Sequence, residues 1–230
     1  MGSLLFVKSS AIYGIFGLMV CGGAIVAGVW MAMGGAYAGL LLVPLGFLVG
    51  KVCLRIATLK FEIYEQGFIS KSIFGTLSGR YADLTSISRG ATRTNGVLMT
   101  NVHFVTKSGE KATVTSEGLG KDDKMAQLLN YACHALATTW MKTLERQSEV
   151  VWMSKGSSPT LKIRKDGVLV KEESGVEAFI PLSRFHVKSG FALAADIFDD
   201  DKKIVRVNTG SPNYFVGETL IAMLLQKPRG

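Results

Sequence analysis

The side chains best suited to bind a ligand are basic. Lys162 and Arg164 stand two residues apart, Lys165 follows at a turn, and Lys171 comes after it. Residues two apart on a strand share a face, so Lys162 and Arg164 would present two cations to an anionic group such as a phosphate. Glu172 and Glu173 follow at once and dilute that charge. One hundred residues earlier the basic positions, Lys60, Lys71 and Arg80, are sparser. Lys51, Arg55 and Lys60 complete the candidate set, at the exit of a long apolar stretch.

Residues that could support catalysis or bind metal do not gather. His103, His134 and His186 fall in different predicted elements, with no carboxylate or nucleophile paired to them in sequence. Asp199-Asp200-Asp201 lacks the spaced ligands, central Gly and terminal Glu of a calcium loop, and reads as a polar hairpin turn. Cys21, Cys53 and Cys133 form no Cys-x-x-Cys and no Cys–His pair at ligand spacing, which suits a reducing compartment. No phosphate-binding Gly-rich loop, Gly-x-Ser-x-Gly or His-Glu-x-x-His occurs. The expectation is a non-enzyme with no catalytic residues, no metal and no cofactor.

The elements that carry the basic residues begin in a membrane. Between Lys8 and Lys51 lie forty-two consecutive residues without Asp, Glu, Lys, Arg or His. As one helix they would reach about 63 Å, twice the roughly 30 Å of a hydrocarbon core. Two spans fit, near Ser10–Met33 and Ala36–Thr58, joined by a turn at Gly34-Gly35. Lys8 precedes the first span and Lys51, Arg55 and Lys60 leave the second, so both termini are expected on the cytosolic side. Tyr13 marks one interface, Trp30 and Tyr37 the other. Ala36-Tyr37-Ala38 has the pattern of a signal cleavage site. The apolar stretch before it is about twice the usual 7–15 residues, however, and a second span follows. Gly35-x-x-x-Gly39 and Gly46-x-x-x-Gly50 are expected to pack the spans against each other, and Pro44 to kink the second. No ionisable side chain lies deep in the spans, which argues against an ion or proton path.

Of the formal net charge of +8, residues 1–60 carry +4 with no acid at all. Half the basicity therefore sits beside the bilayer, where anionic lipid favours each cation by about 1 kcal/mol. In the remainder basic and acidic residues interleave without a strong basic run, so a nucleic-acid surface is not expected.

Beyond the spans the chain repeats. Ile63–Lys71 (IYEQGFISK) lies over Ile163–Lys171 (IRKDGVLVK), each a strand, a tight turn ending in Gly, and a strand. Tyr81-x-x-Leu84-x-x-Ile87 corresponds to Phe179-x-x-Leu182-x-x-Phe185. A second hairpin follows in each copy, turning at Ser108-Gly109 and at Asp199-Asp200-Asp201. Each copy then ends in an amphipathic helix, one from about Asp122, the other from Ser211-Pro212. Glu145–Pro159, with its Gly156-Ser157-Ser158-Pro159 breaker cluster, reads as a linker.

A membrane hairpin, then Lys60-Phe61-Glu62-Ile63-Tyr64-Glu65-Gln66-Gly67 and Tyr81-Ala82-Asp83-Leu84-Thr85-Ser86-Ile87, resembles bacterial membrane proteins with pleckstrin-homology-like domains. The resemblance covers residues 11–147 and, more loosely, 160–226. Each copy shows about five clear strands where a full pleckstrin-homology barrel has seven. It implies the following fold: an N-terminal two-helix transmembrane hairpin, then an α+β cytosolic region of two tandem PH-like antiparallel β units, each closed by a C-terminal helix. The expected segments are a hairpin over 1–58, a first PH-like domain over 59–147, a linker over 148–159 and a second domain over 160–230. The expected location is a bacterial cytoplasmic (inner) membrane.

The function that follows is a membrane-anchored interaction or scaffold protein. Its partners would be the lipid bilayer and either another protein or a second copy of itself. The alternative is an anionic-lipid reader that uses Lys162, Arg164, Lys165 and Lys171, with Lys51, Arg55 and Lys60 at the span exit. Relatives that bind phosphoinositides place basic residues on both strands of the first hairpin, as the second copy does here.

Overall fold

The computed structural model describes residues 1–9, 11–94, 97–117, 123–153, 159–171, 176–189 and 194–226. Five expectations lie outside the described residues: the breaker residues 156–158, Glu172 and Glu173, Asp122, Ser10 and the Tyr13 side chain. The chain divides into two compact units, Met1–Ser78 and Gly79–Gly230. This cut falls within the segment expected as the first PH-like domain.

The first unit opens with a strand, β1 (Leu4–Ser9), followed by helix α1 (Ala11–Met33). Gly34 and Gly35 turn the chain, Gly35 at φ +91, a left-handed conformation open to glycine. A 3₁₀ segment (Tyr37–Leu41) leads into α2 (Leu42–Thr58), and Pro44 sits in the first turn of α2, just past the change of helix type. Gly14–Met33 and Tyr37–Thr58 are long and apolar enough to cross a membrane.

Small residues let the two helices touch backbone to backbone. A Cβ on Gly14 would overlap the Ala57 nitrogen, and one on Gly28 would come within 2.6 Å of the Gly39 carbonyl oxygen. One on Gly46 would lie 2.5 Å from Ile25. Gly39 and Gly46 thus pack the hairpin as expected. Gly35 serves the turn, and Gly50 makes only an ordinary contact of 3.8 Å with Cys21.

The chain leaves α2 into β2 (Lys60–Tyr64), β3 (Gly67–Ser72) and β4 (Gly75–Arg80). These form an antiparallel sheet in the order β1-β2-β3-β4. β1 pairs with β2 through Ser9↔Lys60, Lys8↔Phe61 and Val7↔Glu62. The helical hairpin is therefore an insertion between two neighbouring strands, and both its ends are held at one sheet edge. Phe6, Phe61, Ile63 and Phe68 are buried on the inner face.

The second unit starts with a 3₁₀ turn at Tyr81–Asp83, then β5 (Leu84–Thr94), β6 (Val97–Thr106), β7 (Lys111–Glu117) and α3 (Asp123–Arg146). It continues through β8 (Glu149–Met153), β9 (Thr160–Arg164), β10 (Gly167–Lys171), β11 (Glu177–Pro181), β12 (Phe185–Ser189), β13 (Ala194–Asp199), β14 (Lys202–Asn208) and α4 (Tyr214–Gln226). The sheets are antiparallel and ordered β5-β6-β7, β11-β10-β9-β8 and β12-β13-β14. Among the described residues the same order thus occurs twice along the chain: four strands, three strands, one helix.

The residues expected as a linker carry β8, which is a correction with a clear cause. Val150, Trp152 and Met153 are buried, but a bulge between Val151 and Met153 breaks the alternation that would mark a strand. Among the described residues Trp152 is the largest fully buried side chain. Its indole nitrogen donates to the Tyr214 carbonyl at 2.9 Å, and its ring lies 5.9 Å from Tyr214 and 6.2 Å from Phe185. Gly217 leaves it room, since a Cβ there would overlap the indole.

Asn213 ties the start of α4 to β5. Its amide donates to the Ile87 carbonyl (2.7 Å), its Oδ1 accepts from the Ile87 amide (2.9 Å), and its Nδ2 donates to the Thr85 carbonyl (3.1 Å). Asn213 takes φ +64, which Asn tolerates better than most residues. The helix therefore begins at Tyr214 and not at the expected Ser211-Pro212. The second repeat and the later part of the first share one unit, with α3 packed on α4.

Candidate functional site

The basic strand of the second repeat folds as its alternation predicts, but it meets an acid. Antiparallel pairing sets Glu149 opposite Arg164 and Val151 opposite Lys162. The Glu149 carboxylate accepts Nε and Nη2 of Arg164 at 3.2 and 3.0 Å and takes the Lys162 ammonium on its other oxygen. Lys162 and Arg164 hold the Glu149 carboxyl below the usual carboxylate range. Lys171 pairs with Glu177 at 3.1 Å. Lys165 remains without an ion pair among the described residues, at the β9–β10 turn. Open clefts flank that turn: one of about 560 Å³ toward residues 144–148, the other of about 350 Å³ toward residues 181–183.

The first unit repeats this neutralisation. Glu62 on β2 accepts Lys71 at 2.9 Å and Lys60 at 3.2 Å, and Lys71 first, then Lys60, lowers its pKa. Lys51 and Arg55, one turn apart near the end of α2, are exposed and have no carboxylate partner among the described residues. The seven candidate cations fall three in the first unit and four in the second. Four are bound to carboxylates, Lys51 and Arg55 line the span exit, and Lys165 stands alone at a turn.

The neutralised strand lies within an apolar row. Across β8-β9-β10-β11 the register aligns Val151, Lys162, Leu169 and Phe179 on the outer face. Val151 is 47% exposed and Phe179 41%. The Phe179 ring lies over Gly167, where a Cβ would come within 2.5 Å of it. Three apolar side chains thus face out, separated only by the stem of a lysine that is already paired. Sequence reasoning misses this row because β8 is hidden, and it misses Glu149 for the same reason.

No family model matches this chain, and no curated protein matches it either.

The histidines lie in three different elements, β6, α3 and β12. His103 Nδ1 is 2.8 Å from the Thr113 hydroxyl, His186 stacks on Phe198 at 5.1 Å, and His134 is exposed on α3. Asp199 and Asp200 at the β13–β14 turn pair with Arg184 at 2.7 and 3.7 Å. No cluster of three His, Cys, Asp or Glu side chains suited to a metal occurs among the described residues. Cys133 is buried between helices, and burial first, then the Glu218 charge, pushes its thiol up to about 12. It stays protonated and is a poor nucleophile. Burial likewise raises Glu218, partly offset by the Tyr214 hydroxyl that donates to it at 2.7 Å.

Proposed function

We propose that this chain is a membrane-anchored, non-enzymatic interaction module. The α1–α2 hairpin would hold two PH-like units on the cytosolic side of a bacterial inner membrane, where they engage a protein partner or a second copy of the chain. The PH-like reading draws support from the order of four strands, three strands and a helix, found twice among the described residues. A cytosolic placement draws support from Lys51 and Arg55 at the span exit.

One observation carries the choice of partner. The outer face of β8–β11 offers the apolar row Val151, Leu169 and Phe179, while Glu149 already occupies the cations Lys162 and Arg164. A phosphate approaching that face would have to displace a carboxylate from both. A protein surface need only cover the row. The lipid-reader alternative keeps Lys165 and the exposed Lys51 and Arg55, which supply less convergent charge.

Native mass spectrometry of the intact chain, released from nanodiscs of phosphatidylcholine and phosphatidylglycerol, separates the two readings. A bound second copy or partner that is lost in Val151→Asp/Phe179→Asp and kept in Lys162→Ala/Arg164→Ala is the expected result. Retained phosphatidylglycerol that disappears only when Lys165→Ala is added to Lys162→Ala/Arg164→Ala, or in that double variant itself, would replace this reading with the lipid reader.

A further inference from the structure

The turn between β3 and β4 is closed by its own hydrogen bonds, yet it leaves two large apolar side chains outside. The Ser72 hydroxyl accepts the Phe74 amide at 3.3 Å and donates to the Gly75 carbonyl at 3.4 Å. Gly75 adopts φ +143, a conformation that other residues rarely take. Ile73 is 61% exposed and Phe74 49%. Water gives such a pair no reason to stand at the tip of a turn.

Two contacts place the tip against α2. The Ile73 amide donates to the Thr58 hydroxyl at 3.2 Å, and the Lys51 ammonium lies 5.9 Å from the centre of the Phe74 ring. Lys51 precedes Thr58 by seven residues, about 10 Å of helix. The turn therefore runs back along α2 toward the apolar span instead of away from it. From Tyr37, five 3₁₀ residues at ~2.0 Å and nine α-helical ones at ~1.5 Å give about 23 Å before Lys51 is reached. A hydrocarbon core of about 30 Å then ends roughly one turn beyond Lys51, near Arg55. By that reckoning the Phe74 ring, set against Lys51, would lie about one turn inside the boundary between acyl chains and headgroups. Lys51 lies at that depth and Arg55 one turn nearer the headgroups; both are exposed, and long basic side chains so placed reach toward phosphates.

We propose that Ile73 and Phe74 enter the bilayer interface, so that the β3–β4 turn is a third membrane contact beside the two helices. Its occupant is lipid: acyl chains against Ile73 and Phe74, anionic headgroups against Lys51 and Arg55. The inference rests on reading α1 and α2 as membrane spans. Its consequence is mechanical. The chain joins the helices to the sheet at β1 and β2, and a lipid contact at the far end of β3 would fix the tilt of the sheet on the membrane.

The test uses the intact chain in nanodiscs of phosphatidylcholine and phosphatidylglycerol, with photoreactive benzoylphenylalanine in place of Phe74 or, separately, of Leu45. Leu45 is exposed in mid-span and reports on the hairpin itself. Irradiation followed by intact-mass measurement is expected to show phospholipid adducts at both positions. Adducts at position 45 with none at position 74 would overturn the insertion and leave the spans in place. Adducts at neither would overturn the span reading and this inference with it.

Discussion

The sheets β1–β4 and β8–β11 share a strand order, and their middle hairpins align at a shift of one hundred residues, yet their first strands behave very differently. In β1–β4 the first connection is the whole apolar hairpin, fifty residues between Ser9 and Lys60. In β8–β11 only residues 154–159 separate the paired strands. The comparison shows that a long apolar helical hairpin need not be appended to a β unit. It can be inserted into a connection, because antiparallel neighbours bring the two ends of the insertion together. It also shows where each sheet draws its order. β8 brings Trp152 into a core shared with both helices, whereas β1 brings Phe6 into a small sheet whose other purpose is to hold the hairpin.

The largest effect that tests this contrast is Trp152→Ala. It removes the largest side chain fully buried among the described residues and the 2.9 Å hydrogen bond to the Tyr214 carbonyl. Large aromatic truncations cost about 3–5 kcal/mol, so the second unit should lose most of its stability in chemical denaturation. Phe6→Ala should cost less, since Phe6 keeps 9% exposure at a sheet edge. Equal losses would mean that β1 is as deeply built in as β8, and the contrast would fail.

The hairpin gives the next test. Gly14→Ala places a methyl group into the Ala57 backbone, whereas Gly22→Ala meets nothing within 4 Å inside the hairpin. Overpacking of this kind costs about 1–3 kcal/mol. Thermal unfolding in nanodiscs should therefore fall for Gly14→Ala and stay unchanged for Gly22→Ala. A loss at Gly22 instead would show that this glycine face packs on another chain, as an oligomer would require.

Much of this architecture is legible in the amino-acid sequence, and the rest is hidden for physical reasons. The two helices announce themselves through uninterrupted apolar length, and the hairpins at Glu65-Gln66 and Lys165-Asp166 through turn chemistry between alternating runs. β1 is masked because Leu4–Ser9 runs straight into the apolar helix and carries no turn signal of its own. β4 is masked because Gly75-Thr76-Leu77-Ser78-Gly79-Arg80 looks like loop. Together they raise the first copy from the five expected strands to the seven found among the described residues. In the second copy β8 is masked by its bulge and by the polar residues on either side, and the Phe179 segment divides into β11 and β12. The candidate site fails at the same place. Lys162 and Arg164 do share a face, but their partner Glu149 lies 13 and 15 residues upstream, in a strand that pattern alone does not reveal.

The smallest effect sharpens the comparison most, because it asks the same question of both sheets. Glu62 and Glu149 each clamp two cations, and both carboxyls titrate below the ordinary value of 4.5. A carboxyl depressed in the folded state stabilises it above the unfolded pKa, and that contribution fades as pH falls through the folded value. Glu149→Gln should therefore lower stability at pH 7, and the gap to the unmodified chain should close as the solution is acidified well below 4.5. Both pairs are solvent-accessible, so the loss should be modest and should shrink further in high salt. The two substitutions should part company in their side effects. Glu149→Gln frees Lys162 and Arg164 on the outer face of β8–β11, whereas Glu62→Gln frees Lys60 and Lys71 beside the span exit. If these sheets differ as proposed, only Glu62→Gln should leave the interaction surface around Val151 and Phe179 intact. A partner complex weakened equally by both would place the contact across both units and not on β8–β11.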